Sequence, residues 1–587
     1  ISDDVPPLPK NAFRSLIRID RIDAQREFSD AGIGGVQRTD ADGNDVGGRA
    51  YKRKLSVQLR EYYDRHVSPN NDDKVLDEDD IKALVSIQDA EQSFDKRLKA
   101  GFSSAFGELE KLGYPGITNP KLSISTQLRA TDGLRHASAL QYEITDPSGN
   151  GTNPLRLPDD YSGLGYQNLI SMTFMLMGFR DDWMRVGKPD QVAATGENKI
   201  PPLHLVLVEE PEAHLHAQVQ QVFIKKAYQL LRNHPELREI QTPSALVDGP
   251  LVDEPTVEAA TDLYSTQLVI STHSSHVAHE ADFSCLRYFR RRRAKTSAHA
   301  PTTTVANLST VFGAKDETSR FVARYLKATH CDLFFADAAI FVEGQAERIL
   351  VPQFIRDFFP DLNHRYVTLL DLGGSHAHRF KSLVEELGLS TLVISDIDAA
   401  IKTEIVDKNG VKTSRLKKAV PALGAGQVTT NSVLKGWHPK CEFIDDLVEL
   451  PDTAHAIGAE NDYSLYVAYQ LPVVIDADTP TPTTVIPRTF EDSLIYENLL
   501  ILAGVKGSAT SAKINSLIEN SLSPDDLREG LFDLLKSAEK AAFALDCLMI
   551  EAPNKLVPPN YINKGLNWLQ DFLNSTASDV ISDASHG

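Results

Sequence analysis

Three short apolar runs in the second half of the chain each end in acid or a glycine turn. They are AAIFVE (Ala338 to Glu343), YVTLLDLG (Tyr366 to Gly373) and STLVISDID (Ser390 to Asp398). Amphipathic stretches separate them. Short apolar strands that alternate with amphipathic helices bury both sheet faces when the strands run parallel and the helices cover them. The prediction is therefore an α/β unit with a mostly parallel sheet. Such folds build their sites at strand ends along one edge.

That edge is rich in carboxylates. In FVEGQAERI, Glu343 ends its strand and Glu347 follows on the first helical turn, with Gly344 allowing a tight turn between them. In LVISDIDAA, Asp396 and Asp398 are two apart at the end of an apolar strand, where residues i and i+2 face the same way. DLGGSH, Asp371 to His376, is a further strand-end turn. Carboxylates converging on one edge repel unless hard cations such as Mg²⁺ or Mn²⁺ sit among them. Two such ions can activate a water and stabilise the leaving oxygen of a phosphodiester. The plainer alternative is that these acids only solubilise strand ends.

The first half carries a second constellation. LVLVEEP is a buried strand ending in Glu209, Glu210 and Pro211. Adjacent strand-end carboxylates commonly place a metal-organising group and a water-polarising group beside a phosphate. STHSS puts His273 just after the next apolar strand, where it can contact a γ-phosphate or an attacking water. YSGLGYQN, Tyr161 to Asn168, sets Ser162 and Gly163 ahead of an apolar helix whose exposed amides can bind phosphate.

Together these resemble the ATPase heads of the ABC superfamily, in the branch shared with DNA-repair and chromosome-organising proteins. The resemblance makes Ser162, Gly163 and Gln167 the signature facing the ATP of an opposite head. It makes Glu209 the Walker B acid, glutamate where aspartate is usual, Glu210 the catalytic glutamate and His273 the switch histidine. EEPEAHLH is similar to the overcoming-lysogenization-defect (OLD) nuclease family, whose relatives include the nuclease subunit of the Gabija antiphage system. One departure stands out. The P-loop pattern G-x-x-x-x-G-K-[ST], which grips β- and γ-phosphates, is absent from the 587 residues. The expectation is a head whose P-loop lobe is missing from this chain, with ATP hydrolysis by the chain alone in doubt.

The second unit resembles the Toprim domain of topoisomerases, primases and OLD nucleases. The resemblance assigns metal binding to Glu343, Glu347, Asp396, Asp398 and a downstream acid matched by Glu491 in RTFEDSLIYEN. It assigns a late catalytic lysine to Lys540 in KSAEKAAFALDCL, with Lys536 as the competitor. The expected fold is α/β: an ABC-type ATPase head over residues 1–330 with a helical dimerisation insert at about 52–112, then a Toprim domain over 331–587 with helical elaborations. The resemblance implies a DNA endonuclease or nickase using two Mg²⁺ or Mn²⁺ ions, with ATP as a second ligand. Double-stranded DNA, a homodimer or higher homo-oligomer, and a helicase-like subunit or a separate chain supplying the P-loop lobe are the implied partners. A Toprim topoisomerase and a non-enzymatic nucleotide-sensing scaffold that binds DNA are the competing readings. EEPEAHLH beside the Toprim pattern counts against the first, and the matched metal positions against the second.

Composition sets the remaining limits. There are 61 basic and 81 acidic residues, a net charge of −20, so this is not a DNA-coating protein; any nucleic-acid contact needs a local basic patch or bound metal. Arg290 to Arg293 is such a cluster, either a solvated loop or a phosphate contact. Four cysteines without metal-ligand spacing point to a reducing compartment. ISDDVPPLPK has no basic region followed by an apolar run, and no stretch reaches membrane-spanning length, so a soluble cytoplasmic protein is expected.

Overall fold

A computed structural model describes residues 16–24, 78–111, 121–126, 138–144, 155–158, 164–184, 200–213, 215–233, 264–292, 302–313, 316–406, 412–458, 463–475, 482–505, 507–550 and 555–584. Contacts divide the chain into Ile1–Glu280 and Ala281–Gly587. The division falls ahead of the boundary expected near residue 330.

In the first unit, strand Leu203–Glu209 lies between Ile17–Ile22 and Ser265–Ser271, all parallel. Its alternating sequence turns His204, Val206 and Val208 inward. The buried His204 ring places Nε2 2.9 Å from Oδ2 of Asp20 on the neighbouring strand. Helices Leu164–Met184 and Ala217–Arg232 supply Leu169, Met172, Leu176, Phe223 and Leu231 to the same core as Ile22. Each such fully buried large side chain stabilises by roughly 1.5–3 kcal/mol. Antiparallel strands Lys121–Thr126, Ser138–Ile144 and Leu155–Pro158 form a separate sheet. Within the expected insert lies helix Glu78–Lys111, with Val85, Phe94 and Phe102 exposed along it. The earlier part of the insert, 52–77, lies outside the described residues, as do Ser162 and Gly163.

In the second unit, a five-stranded sheet runs in the order Val367–Asp371, Ala338–Val342, Ser390–Ile394, Leu465–Ala468, Ala456–Ile457. The first four strands are mutually parallel and the last is antiparallel. Strand 338–342 comes first in sequence, yet the next two strands lie on opposite sides of it. The topological switch point is thus the crevice outside the carboxyl ends of 338–342 and 390–394, the place where open α/β sheets bind ligands. Strand 338–342 is buried at every position, as a strand covered on both faces must be.

Helices Gln345–Phe358, Lys540–Leu548 and Asn560–Ala584 share one core with this sheet, through Leu350, Phe354, Phe543, Leu566 and Leu569. The long C-terminal helix packs closely: a Cβ at Gly565 would fall 2.7 Å from Leu392 Cδ1. Arg287–Arg292 pairs antiparallel with Thr302–Asn307, so the described arginines of the basic cluster form a two-stranded ribbon instead of a loop. Phe289 on that ribbon is exposed. No helix among the described residues is long and apolar enough to cross a membrane.

Candidate active site

Glu343 immediately follows the first strand of the second sheet, and one of its oxygens is held from three directions. Asn431 Nδ2 donates to Oε1 at 2.6 Å, the Asp396 amide donates at 3.2 Å, and the Ser395 hydroxyl donates as well. Asn431 also reaches Ser395 Oγ and the Asp396 carbonyl, both at 2.8 Å. One amide side chain therefore fixes the two strand ends that flank the switch point.

Asp396 and Asp398 lie beyond the last strand residue, Ile394, so the two-residue alternation expected of them does not apply. Asp396 Oδ1 accepts from Gln470 Nε2 at 2.7 Å and from the Phe490 amide at 3.0 Å. Asp398 has a left-handed backbone, φ 46°, and pairs with Arg488. A non-glycine residue in that region is strained and persists where its surroundings over-determine it, typically at functional sites.

Glu347 is buried on the first turn of helix 345–358, and Gly344 caps that helix. The glycine is extended (φ −147°), so it is not needed for an unusual turn as the sequence suggested. Space explains it: a Cβ there would sit 3.0 Å from Glu347 Oε2. From the far end of the unit, Lys540 Nζ reaches Glu491 Oε2 at 2.6 Å, and Thr489 Oγ1 donates to the same oxygen at 2.9 Å. Lys536 instead pairs with Asp533 at 2.7 Å on the exposed helix face.

These groups form one electrostatic neighbourhood. Burial raises the Glu347 pKa to about 8, with Glu491 and Glu343 adding to the rise and Lys540 opposing it. Burial, then Glu343 and Glu347, hold Asp396 well above the usual carboxylate range. Burial also raises Glu343, against the donors Ser395 and Asn431. Burial disfavours the Lys540 charge, but Glu491 and Asp396 outweigh it and keep the ammonium protonated. The structure thus gathers Glu343, Glu347, Asp396, Asp398, Glu491 and Lys540.

The five acids of this set offer only oxygen donors, the chemistry of hard divalent cations. Among the described residues no three acids, histidines or cysteines are already arranged around one point as metal ligands. Their oxygens are held by Ser395, Asn431, Gln470, Arg488 and Lys540 instead. The set fits divalent ions by donor type and by the repulsion they would relieve.

A pH dependence follows. Folded Glu347 keeps its proton up to about 8, against 4.5 for an ordinary glutamate. Between those values the folded state holds the extra proton, so stability falls as pH rises through the window. In EDTA, the melting temperature is expected to fall from pH 4.5 toward pH 8. Excess Mn²⁺ is expected to restore it most at the upper end, where the ligands deprotonate. A Glu347→Gln variant with the same slope as the parent would contradict this assignment.

In the first unit, Glu209 is the last residue of strand 203–209, with Arg21 Nε 3.9 Å away. Glu210 adopts φ 42° and lies 3.3 Å from His273 Nε2. Burial and then the Glu212 carboxylate raise its pKa. Glu212 Oε1 accepts from the Thr272 hydroxyl at 2.7 Å and the His273 amide at 2.6 Å, which fixes the histidine segment. Gln167 lies within helix Leu164–Met184.

Sequence reasoning missed Asn431, Gln470, Arg488, Ser395 and Glu212. Ser395, Gln470 and Arg488 each follow an apolar run (LVIS, YVAYQ, VVI to IPR), and a polar residue just past a buried strand is the signal that finds them.

Two family models match the chain: "AAA ATPase domain" over residues 15–278 and "Overcoming lysogenization defect protein-like, TOPRIM domain" over residues 334–398. The chain therefore joins an AAA-type ATPase region to a TOPRIM domain of the OLD kind. It is homologous to Endonuclease GajA of Bacillus cereus (strain HuB5-5), 24% identical over 477 residues, which cover 77% of this chain and 58% of the relative. The chain thus spans just over half the length of that relative.

Solved structures similar to it include the C-terminal region of the Burkholderia pseudomallei OLD protein (20% identity, TM-score 0.25, covering 40% of this chain and 98% of that one). Another is the C-terminal region of the Xanthomonas campestris pv. campestris OLD protein (16% identity, TM-score 0.24, covering 42% and 99%).

Proposed function

We propose that the second unit is a metal-dependent endonuclease or nickase that hydrolyses phosphodiester bonds of double-stranded DNA, under control of the ATPase region, in antiphage defence. The observation that carries this reading is the gathering of five acids and Lys540 at the switch point of a mostly parallel sheet. Homology to a protein named an endonuclease supports it. Glu343, Glu347, Asp396, Asp398 and Glu491 would hold two Mg²⁺ or Mn²⁺ ions. Such ions, when bound, supply an activated water and neutralise the leaving oxygen.

The chain's own residues do the rest. Asn431 and Gln470 orient Glu343 and Asp396 by direct hydrogen bonds. Lys540, held by Glu491, presents a fixed ammonium to phosphoryl oxygens. Conversion of supercoiled plasmid to nicked or linear DNA in Mg²⁺, abolished by EDTA, tests the reading. Intact plasmid across a full metal series would refute it.

The ATPase region is the control element in this account. Glu209 serves as the metal-organising acid, Glu210 as the base and His273 as the γ-phosphate sensor, while Ser162, Gly163 and Gln167 face the ATP of an opposite head. The contact between Glu210 and His273 supports that pairing. The 587 residues carry no P-loop pattern to grip the β- and γ-phosphates. These residues alone are then expected to bind ATP weakly and hydrolyse it negligibly. Low-micromolar binding of labelled ATP by the purified chain would contradict this.

Helix 78–111 exposes Val85, Phe94 and Phe102, apolar surface that a homodimer or higher oligomer would cover. Light scattering is expected to give at least a dimer, and a monodisperse monomer is the contrary result. The resemblance to the Gabija nuclease subunit supports a helicase-like partner subunit. The four free cysteines, two of them buried, suit the reducing cytoplasm.

A further inference from the structure

A hollow of about 630 Å³ opens on the second unit, walled by Glu317, Arg320, Phe321, Arg324, Tyr325 and Arg379. None of these residues belongs to the carboxylate cluster. Helix Glu317–Tyr325 places Arg320 and Arg324 one turn apart, and Phe321 and Tyr325 likewise, so a basic row runs beside an aromatic row. The Phe321 and Tyr325 rings are stacked at 6.1 Å, and the Arg379 guanidinium stands 4.9 Å over Phe321. The aromatic row therefore holds one arginine in place and floors the hollow.

The charge balance of the hollow is positive. Arg324 makes no ion pair among the described residues. Arg320 Nε donates to the Asp316 carbonyl at 3.2 Å, while the Asp316 carboxylate caps the helix through the Ser319 amide at 2.7 Å. Among the lining residues the carboxylate is Glu317, 3.8 Å from Arg379 but 85% exposed, where water screens the pair; the Asp316 carboxylate also lies in the field of Arg320. Three guanidiniums on one concave surface are unusual in a chain with a net charge of −20.

The hollow is also wired to the carboxylate edge. The Tyr325 hydroxyl donates to the carbonyl of Asp371, the last residue of strand 367–371. The glycine turn that follows brings the Gly374 amide 2.7 Å from the Glu343 carbonyl. Gly373 and Gly374 both have positive φ, 62° and 112°, so this turn requires glycine. A hydroxyl and one short turn separate the basic hollow from the glutamate of the candidate active site.

We infer that this hollow docks backbone phosphates of the DNA strand flanking the cleaved bond, with Arg320, Arg324 and Arg379 as donors. The inference rests on the nuclease reading above. Guanidiniums match phosphate oxygens in fork geometry, and an open, aromatic-floored surface suits a continuous strand better than a small free anion, which needs enclosure.

The test measures affinity of the full chain for a labelled duplex across a salt series, on an Asp396→Ala background to prevent turnover. The double variant Arg320→Gln/Arg324→Gln is expected to bind about tenfold more weakly. Its plot of log affinity against log salt should be shallower by about one unit for each phosphate that is no longer neutralised. Arg324→Glu alone, an exposed change that breaks no ion pair, should weaken binding at least as much. Arg232→Gln in the first unit serves as the surface-charge control and should change neither quantity.

Unchanged affinity and slope in both hollow variants, with the parent still cleaving plasmid in Mg²⁺, would overturn this inference and leave the nuclease reading intact. Pyrophosphate or ATP binding that disappears in the same variants while DNA affinity is unchanged would assign the hollow to a free anion and also overturn it. A parent chain that neither binds nor cleaves DNA would instead defeat the nuclease reading, and the hollow's assignment with it.

Discussion

Asp396→Ala is expected to slow single-turnover cleavage of duplex DNA by about 100-fold or more, the scale of losing one preorganised charge-stabilising group. Asp396 is the node of the site. Gln470 and the Phe490 amide hold its carboxylate, and its own amide contacts Glu343. Burial first, then Glu343, Glu347 and Asp398, raise its pKa. In the proposed metal site, its removal would subtract a ligand and lower the repulsion that favours cation binding. Weaker Mn²⁺ binding should therefore accompany the slower rate, while the fold should persist, because the core beneath rests on Leu392 and Ile394. Equal rates for Asp396→Ala and the parent at matched metal would sink the metal-site assignment.

Lys540→Ala is expected to cut the same rate by about 100-fold, with little change in DNA affinity at moderate salt. An in-line displacement gathers charge on phosphoryl oxygens, and a fixed ammonium stabilises that charge more in the transition state than in the bound substrate. One phosphate contact among many contributes little to binding itself. The 2.6 Å contact to Glu491 holds the ammonium inside the acidic cluster. Lys536, paired with Asp533 and lying 3.9 Å over the Phe532 ring, has no such position, and Lys536→Ala should be near neutral. Single-turnover rates and a parallel binding titration separate the cases. If Lys536→Ala proved the more damaging, the two lysines would have exchanged roles.

Much of this arrangement is legible in the sequence alone, for a physical reason. A buried parallel strand must be apolar and must end where the chain meets solvent, so AAIFV, VTLLD and STLVI announce both the strands and the edge where the acids stand. The reach of Lys540 to Glu491 is of another kind. The two are far apart in sequence and only the family resemblance links them to the site, because no local pattern reports which helix face folds back on a sheet. The holders of the acids are invisible for a similar reason. Asn431 reads as an ordinary helix cap, and it does cap Val433, yet its amide nitrogen turns back to Glu343. Local chemistry also misdirects in two places. The D-x-D spacing suggests strand alternation where the chain has already left the strand, and Gly344 suggests a special turn where the need is room for Glu347.

The most direct test of the central claim is a Mn²⁺ titration that follows metal occupancy and DNA cleavage in the same samples, for the parent and for Asp396→Ala. The account predicts that the parent's cleavage rises with occupancy of two ions, falls to background in EDTA, and is nearly absent in the variant at every metal concentration. Cleavage that persists in EDTA, or that tracks Mn²⁺ equally in Asp396→Ala, would contradict it.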